Sequence, residues 1–433
     1  MTLGDAVTDA LAAFVDDRIP EGAAPAPRDA VVWRRVYPPE EGSHADALEE
    51  LPEGALVGGT WLVDRTVAVG SLTGPAGIVA AGPGFTVVEI VQRGVRLVDI
   101  GITGAGSIPY VSAWHGLHIT GSYARLEGCA VRSVPGSGIW AQDCDSLVVD
   151  QCDVSDVHYS GIMLVGVLGA QVTGCNVRDV VGSTADSYGI AVTRDAYGKG
   201  RRSRDVLVAD NSVSGVPREG IDTHAGLNIT IHNNVVSRCG IGIAAVPSHV
   251  SGVDDMAPLG VTITDNKVSD QDVSRIAGSG IVLVGAYGAL GATREAATGR
   301  ISGNTVRGYG NPDSANSGGI LTYDSRNVRI TDNEVDTCAG HGVTMYHDVR
   351  SAVVSGNTII DPWSNSTANA PSAVAARSWY VTALVVGNFF GRDDKAATAL
   401  RAYGVRATSH STVGVHAISN YTSGYGVTTA GTM

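Results

Sequence analysis

The sequence predicts an all-β fold: a coil of short strands, each pairing in parallel with the strand one turn further along, after a short N-terminal helical segment. A six-residue phrase recurs through the chain, and its shortest spacings are 23 residues (152 − 129, 175 − 152 and 234 − 211). The segments between phrases alternate apolar and polar residues without helical periodicity. With 56 Gly and only 4 Phe among 433 residues, we expect a core of thin layers of Val, Ile and Ala.

Residues 1–44 differ in kind from the rest of the chain. Thr2 and Asp5 have the spacing of a capping box, and an apolar stripe follows over residues 3–14 until "IPEGAAPAPRD" ends it. We predict a short amphipathic helix and a linker, which would attach to another protein or seed a trimer. The alternative is a helix that folds onto the first turns of the coil. The segment carries acids and no basic n-region, so it does not predict a secretory signal.

The fourth residue of each repeated phrase forms a column that we expect to point into the core. An Asn amide offers two donors and an acceptor, enough to satisfy turn backbone groups and to stack on the Asn of the next turn. Three stacked thiols cannot all pair with one another, so we expect the Cys residues to be reduced. "AISNYT" (417–422) predicts one more turn and "VRLVDIGI" (95–102) an earlier one. The column consists of Cys129, Cys152, Cys175, Asn211, Asn234, Asn266, Asn304, Asn333, Asn357 and Asn388.

This ladder, and the Gly-Ile strands that follow it, resemble the right-handed parallel β-helix, pectate-lyase-like superfamily over roughly residues 45–430. The resemblance implies a single-stranded right-handed parallel β-helix of about 11–13 turns over residues 45–433, with lateral loops. "ADALEELPEGALVGGTWLVDRTVAV" (45–69) resembles the helix and first turn that cap such folds. The ladder predicts the fold and not the reaction.

The Ile of each Gly-Ile strand faces the core, so the next residue and the third from the Ile point outward. Two outward columns result when these strands are aligned on their core residue, from Ile139 to Leu400. Their apolar members predict an exposed patch that a trimer would bury. The first column is Trp140, Met163, Ala191, Asp222, Ala244, Val282, Leu321, Thr344, Ala375 and Arg401. The second is Gln142, Val165, Thr193, His224, Val246, Val284, Tyr323, Tyr346, Arg377 and Tyr403.

The stretch "REGIDTHAG" (218–226) places Asp222 and His224 in these columns, on a short turn between longer loops. A short turn walled by loops forms a groove, where binding and catalytic residues concentrate. The carboxylate would act as acid, base or nucleophile and the imidazole as a proton shuttle, with Glu219 or Asp195 as the second carboxylate. An equally good interpretation is a solvated polar pair, or a contact inside a trimer.

Two further groups of side chains are candidate substrate ligands. The wall loop around "DAYGKGRRSRD" (195–205) predicts a cradle for an acidic sugar. Three turns along, a Tyr is expected to stack on a Tyr and an Asp on a His, which suits sugar rings but is also ordinary packing between turns. The candidates are Arg194, Arg201 and Arg202 in the loop, and Tyr323, Asp324, Tyr346, His347, Asp348 and Arg377 in the second group, with Tyr403 nearby.

Composition excludes several classes of protein. The net charge of −13 argues against a nucleic-acid partner, because such binding rests on Lys and Arg neutralising phosphates. No apolar run approaches the 18 residues of a membrane span. No His/Cys/Asp group has zinc spacing, so we predict no metal or cofactor, with Ca²⁺ from scattered Asp residues left open.

Three functions remain open, and "GIDTH" (220–224) itself resembles a phrase of phage-type β-helix proteins. The first is a phage tail-spike or tail-fibre-like protein that binds host surface polysaccharide, either with or without depolymerising it. Such a protein would be a homotrimer in the virion tail, with residues 1–44 contacting baseplate proteins. The second is a polysaccharide lyase, hydrolase or epimerase outside a virion. The third is a structural tail protein without catalysis. If the protein is an enzyme, the resemblance implies a polysaccharide-cleaving glycoside hydrolase or lyase.

Overall fold

The computed structural model describes most of the chain after residue 34. Residues 35–433 form one compact unit, and residues 1–34 are a separate unit outside the described residues. The predicted N-terminal helix therefore lies outside them, with most of its linker. The described residues are 35–40, 44–106, 110–195, 200–248, 256–271, 278–286, 295–314, 316–363, 371–391, 403–408 and 412–422.

The described residues form one short helix, α1 (His44–Glu49), and 35 strands. None of their helices is long and apolar enough to cross a membrane. The first strands, in chain order, are β1 (Ala55–Leu56), β2 (Gly59–Val63), β3 (Val67–Ala68), β4 (Leu72–Ala80), β5 (Val88–Ile90), β6 (Arg96–Thr103), β7 (Leu117–Ile119), β8 (Arg125–Glu127), β9 (Ala130–Val134), β10 (Ile139–Gln142), β11 (Val148–Asp150), β12 (Asp153–Val157), β13 (Ser160–Val165), β14 (Gln171–Thr173), β15 (Asn176–Val180), β16 (Tyr188–Thr193), β17 (Arg204–Ala209) and β18 (Ser212–His224). The others are β19 (Leu227–His232), β20 (Val235–Val246), β21 (Val261–Thr264), β22 (Lys267–Ser269), β23 (Ile281–Val284), β24 (Gly299–Ser302), β25 (Thr305–Arg307), β26 (Gly318–Arg326), β27 (Arg329–Thr331), β28 (Glu334–Asp336), β29 (His341–Ser355), β30 (Thr358–Ile360), β31 (Ser372–Val386), β32 (Phe389–Gly391), β33 (Tyr403–Thr408), β34 (Thr412–Ile418) and β35 (Tyr421–Thr422).

The strands stack into a right-handed parallel β-helix, which confirms the predicted fold. Each turn supplies strands to three faces, and the strands of the middle turns pair in parallel with their counterparts one turn before and one turn after. On the first face β13 lies between β10 and β16, on the second β14 lies between β11 and β17, and on the third β15 lies between β12 and β18. We call the first of these, which carries the Gly-Ile strands, the groove face.

The Asn column forms a continuous hydrogen-bonded ladder in the core. The amide nitrogen Nδ2 of Asn234 donates to Oδ1 of Asn266 at 2.9 Å, and the same contact repeats from Asn266 to Asn304 at 2.9 Å. Asn420 extends the ladder as the final turn predicted, accepting from Asn388 at 2.9 Å. The Cys residues of the column are free thiols, as expected. The ladder satisfies buried amide groups that would otherwise destabilise the fold.

A glycine corner before the groove face determines which side chains of "REGIDTH" point outward. A Cβ on Gly220 would lie 2.5 Å from the Cγ1 atom of Val236, which is on the third face one turn further along, so only glycine fits there. Gly220 and Ile221 consequently both face the core. The corner therefore leaves Glu219 and Asp222, three residues apart, on the same outer side.

The register predicted for the groove face is confirmed from Ile139 to Val374, and it is wrong in the last turn. Val374 pairs with Val405, five residues beyond the expected Leu400. Arg406 therefore takes the place expected for Arg401, and Thr408 the place expected for Tyr403. The spacing between turns varies with loop length, and the alignment on Leu400 overlooked Gly404-Val405, the Gly-Val phrase that marks the register of this strand.

Three of the outward apolar residues are covered within the chain and Trp140, Val246, Val284 and Leu321 are half-buried, so the patch is less exposed than expected. The exposed fractions of Met163, Val165 and Val282 are 3%, 6% and 5%. Met163 and Val165 pack with Tyr188 and Ala191, and half-buried aromatic side chains pack against them. Alternation along a strand predicts the direction in which a side chain points, but it does not predict which other residues will cover that side chain. Here the covering residues form the wall of a groove.

Candidate active site

An open pocket of about 590 Å³ lies on the groove face above β10, β13, β16 and β18. Aromatic and apolar side chains line the part nearer the N-terminus, and polar residues of two lateral loops line the other part. The residues that line the pocket include Trp140, Tyr159, Met163, Asp186, Tyr188, Arg194, Asp195, Arg218, Asp222, His224 and Ser248.

Asp222 lies at the base of this pocket, and the expectation that it would be a surface group is wrong. Its exposed fraction is 0%, and neither carboxylate oxygen has a hydrogen-bond partner among the described residues. Burial raises the pKa of Asp222 well above its ordinary value, and the neighbouring Glu219 carboxylate raises it further. The Arg218 guanidinium and the Thr223 amide act in the opposite direction without cancelling the shift. These surroundings therefore favour the neutral, protonated form of Asp222 over the carboxylate.

Glu219 is the carboxylate next to Asp222. Its exposed fraction is 2%; Oε1 lies 3.2 Å from Nε of Arg218, and Oε2 has no hydrogen-bond partner among the described residues. Burial raises the pKa of Glu219 to about 7, although Arg218 acts to lower it. The other candidate, Asp195, lies in the pocket wall with an exposed fraction of 3%, and its amide donates to the Arg201 carbonyl at 2.8 Å.

His224 is the member of this group that reaches the surface of the pocket. The exposed fraction of its side chain is 22%, and its Nδ1 lies 3.7 Å from Oδ2 of Asp222. Its ring meets the Tyr188 ring edge-on, with centroids 5.8 Å apart. A ligand in the pocket can therefore touch the imidazole directly, whereas Asp222 can act on a ligand only through His224.

Sequence reasoning missed Arg218 and Tyr188, which complete the site. Nη1 of Arg218 donates to the Tyr188 hydroxyl at 3.0 Å, and the guanidinium also lies 3.8 Å from Asp186. Burial raises the pKa of Tyr188, so its hydroxyl stays protonated. Tyr188 pairs in register with Glu219, and Arg218 precedes Glu219 in the chain. Extending the strand alignment back across the glycine corner would have found both residues.

The group Glu219, Asp222 and His224, which we call the acid–histidine cluster, is also the described group best placed to hold a cation. One donor atom from each residue lies within 4.8 Å of the others. Ca²⁺ takes six to eight oxygen ligands, whereas two carboxylates with an imidazole suit a transition metal. The Arg218 charge beside Glu219 opposes a cation, and the raised pKa values favour protons on the same oxygens.

The predicted cradle for an acidic sugar is not formed by the loop arginines. Arg194 is 2% exposed and donates to Oγ of Ser248 at 2.9 Å. Arg201 binds the Asp145 carboxylate, and its Nη2 donates to the Cys144 carbonyl at 3.2 Å. Nε of Arg202 donates to the Ala225 carbonyl at 2.8 Å, and its Nη1 lies 3.4 Å from Glu295. These guanidinium groups fasten the walls of the pocket to the β-helix.

The second predicted group assembles as the sequence suggests, three turns beyond the acid–histidine cluster. The Tyr323 and Tyr346 rings lie 5.1 Å apart, and the His347 ring stacks on Tyr323 at 5.2 Å. Nδ1 of His347 lies 2.5 Å from Oδ1 of Asp324, and both residues are buried. Asp348 instead pairs with Arg350 at 2.7 Å. This group therefore offers a ligand its two half-buried tyrosine rings.

Solved structures of several β-helix proteins are similar to this chain. The N-terminal fragment of bacteriophage Phi29 gene product 12 is 14% identical, with a TM-score of 0.53, covering 85% of this chain and 68% of that one. The catalytic unit of a thermostable GH87 α-1,3-glucanase from Streptomyces thermodiastaticus is 15% identical, with a TM-score of 0.54, covering 87% and 67%. At this level of identity the likeness shows the fold alone.

The sequence comparisons agree with the fold. A search of the curated proteins found no similar sequence. The family model described as "Right handed beta helix region" matches residues 115–288 and 250–390, which is more than half of the chain. The chain belongs to this right-handed β-helix family.

Proposed function

We propose that this protein binds a uronate-containing polysaccharide along the groove face and cleaves it by β-elimination, with His224 as the base. The observation that carries the proposal is the difference in exposure within the acid–histidine cluster. The imidazole of His224 has 22% of its side chain exposed in the pocket, whereas Asp222 beneath it has none. The similar β-helix structures support the assignment to saccharides, since they include the catalytic unit of an α-1,3-glucanase.

The proposed reaction uses groups that the pocket already holds. His224 takes the proton from the carbon next to the uronate carboxylate, and the electron pair forms a carbon–carbon double bond as the bond to the leaving sugar oxygen breaks. The proton then passes to that oxygen, so the protein ends unchanged. Arg218, with 28% of its side chain exposed, stabilises the negative charge that develops on the carboxylate. Asp222 orients the imidazole from behind as a positioning residue.

Hydrolysis fits the site less well. It uses two carboxyl groups that flank the glycosidic bond at roughly 5–10 Å from each other. Glu219 and Asp222 are near enough to each other, but their exposed fractions of 2% and 0% leave no surface on which both could meet a sugar. Elimination needs only one exposed base and a cation, and the pocket has both.

The aromatic part of the pocket gives the polysaccharide its binding surface. Trp140, Tyr159 and Tyr188 come from successive turns on the N-terminal side of His224. Aromatic faces suit the C–H faces of sugar rings. We therefore place the chain of sugars along the helix axis, running from Trp140 towards the acid–histidine cluster.

A panel assay tests this function. The purified protein is incubated with uronate, neutral, sulfated and phosphodiester polysaccharides, with Ca²⁺ or a chelator, and binding, unsaturated ends and reducing ends are measured. We expect unsaturated ends from uronate polymers, and roughly tenfold weaker binding by Trp140→Ala, since a stacked ring contributes about 1–2 kcal/mol. Binding without cleavage would leave an adhesin, and neither binding nor cleavage of any polymer would refute the proposal.

We further propose that this activity serves a phage tail-spike, a homotrimer of the virion tail attached through residues 1–44. The N-terminal sequence pattern and the structural likeness to a fragment of a bacteriophage gene product support this role. We expect the full chain to sediment as a trimer, and a variant lacking residues 1–44 to lose attachment to baseplate proteins while keeping cleavage. A monomer with full activity would instead favour an enzyme outside a virion. A trimer without activity towards any polymer would favour a structural tail protein.

A further inference from the structure

We propose that Arg377 and Arg406 form an anion-binding subsite of the groove face, which takes a carboxylate, sulfate or phosphate group of an acidic polysaccharide. Arg377 lies in the same outward column as His224, five turns towards the C-terminus, or roughly 24 Å at the spacing of β-strands. The subsite extends the proposed function to a second position on the same polysaccharide. The evidence for the subsite comes from Arg377, Arg406 and their neighbours, and not from the acid–histidine cluster.

The corrected register of the last turn brings the two arginines together. Arg377 pairs with Thr408, and Arg406, two residues before Thr408, pairs with Ala375. Both arginines thus occupy outward positions on adjacent turns, and both are half-buried. Burial lowers the pKa of Arg377, and the positive charge of Arg406 on the adjacent turn lowers it further.

Among the described residues, Arg377 has no compensating carboxylate. No described Asp or Glu lies within 4.0 Å of it, and its Nη1 instead approaches Nε2 of the buried His341 at 3.5 Å. The neighbouring Arg350, by contrast, pairs with Asp348 at 2.7 Å. Half-burying a guanidinium beside a second one destabilises the free protein, and an anion bridging the two would reverse that cost.

The neighbourhood of the arginines favours a saccharide as the carrier of the anion. Tyr346 pairs in register with Arg377, and Tyr323 lies one turn further towards the pocket, its ring 5.1 Å from that of Tyr346. Two aromatic rings in line with two cations offer a surface for sugar rings and a contact for their acidic groups. The net charge of −13 argues against a nucleic acid on this surface.

The test measures binding separately from cleavage. Affinity for polyuronate, sulfated, phosphodiester and neutral oligosaccharides is measured by calorimetry for the parent, Arg377→Gln, Arg406→Gln and the control Arg350→Gln. We expect the parent and the control to bind at least one acidic class in preference to the neutral one, and each of the first two variants to lose 10- to 100-fold in affinity for it. The preferred class identifies which acidic group the subsite takes.

A second measurement tests the subsite if no available oligosaccharide is long enough to reach it. Because Arg406→Gln removes one of the two cations, it should weaken the stabilisation that sulfate, phosphate or glucuronate gives the parent, measured as the shift in Tm. Equal affinity for acidic and neutral sugars, or an equal loss in Arg350→Gln, would overturn the subsite. If the parent binds acidic oligosaccharides through the subsite but cleaves no polysaccharide, the proposed reaction is overturned and the subsite is not.

Discussion

Replacing His224 by Ala is expected to lower kcat for polysaccharide cleavage roughly 100- to 10,000-fold while leaving polysaccharide binding within a few-fold of the parent. The imidazole is the exposed proton-transfer group of the pocket, and the binding surface lies mainly on Trp140, Tyr159 and Tyr188. Initial rates of double-bond formation and a binding isotherm for the same polymer measure the two effects.

Two further variants separate the role of His224 from general damage to the fold. His232→Ala is the matched control, because its ring also pairs with an Asp, Asp265 at 3.3 Å, but lies on β19, away from the pocket. Asp222→Asn keeps the shape of the positioning residue, so we expect a smaller loss in kcat and an altered pH profile, with KM nearly unchanged. Full activity in His224→Ala would remove the imidazole from the mechanism.

The second large effect is a dependence of stability on pH. Glu219 has an ordinary pKa of 4.5 that burial raises to about 7, so between these values the folded protein holds a proton that the unfolded chain has lost. The stability that the Glu219 carboxyl contributes is complete below the ordinary pKa of 4.5, and it is lost as the pH rises to the folded-state pKa of about 7. The loss is about 3 kcal/mol for this shift.

Glu219→Gln should therefore flatten the decline in the free energy of unfolding between pH 5 and pH 8, as measured by urea denaturation at several pH values. Because the Glu219 carboxylate also raises the pKa of Asp222, the variant should shift the remaining pH dependence to lower pH. Glu295→Gln, which removes a carboxylate paired with Arg202, is the control and should keep the parent's slope. Identical slopes in the parent and Glu219→Gln would show that the pKa of Glu219 is not raised in the folded protein.

Most of the architecture was predictable because one physical requirement repeats at every turn. Two residues recur at fixed places in the sequence: an Asn that must satisfy buried backbone groups, and a glycine that must fit against a Val of the third face. These requirements also set the register of the groove face as far as Val374. The last turn was misaligned because loop length varies between turns, although Gly404-Val405 marks its register.

The chemistry of the site was only partly predictable. The sequence shows that Asp222 and His224 share a side of their strand, but the burial of Asp222 depends on residues brought from other turns, such as Tyr188. In the same way, the charges of Arg201 and Arg202 are visible in the sequence, while their partners Asp145 and Glu295 are 56 and 93 residues away. Burial and pairing across such distances decide which charged groups remain available to a ligand.

The most direct test of the proposed function is to identify the new chain ends that the protein produces from a uronate polysaccharide, for the parent and for His224→Ala. Elimination through His224 predicts one unsaturated end for every reducing end in the parent, and almost none of either in the variant. Reducing ends without unsaturated ends, formed equally by both proteins, would contradict it and show a hydrolase whose catalytic groups lie elsewhere on the β-helix.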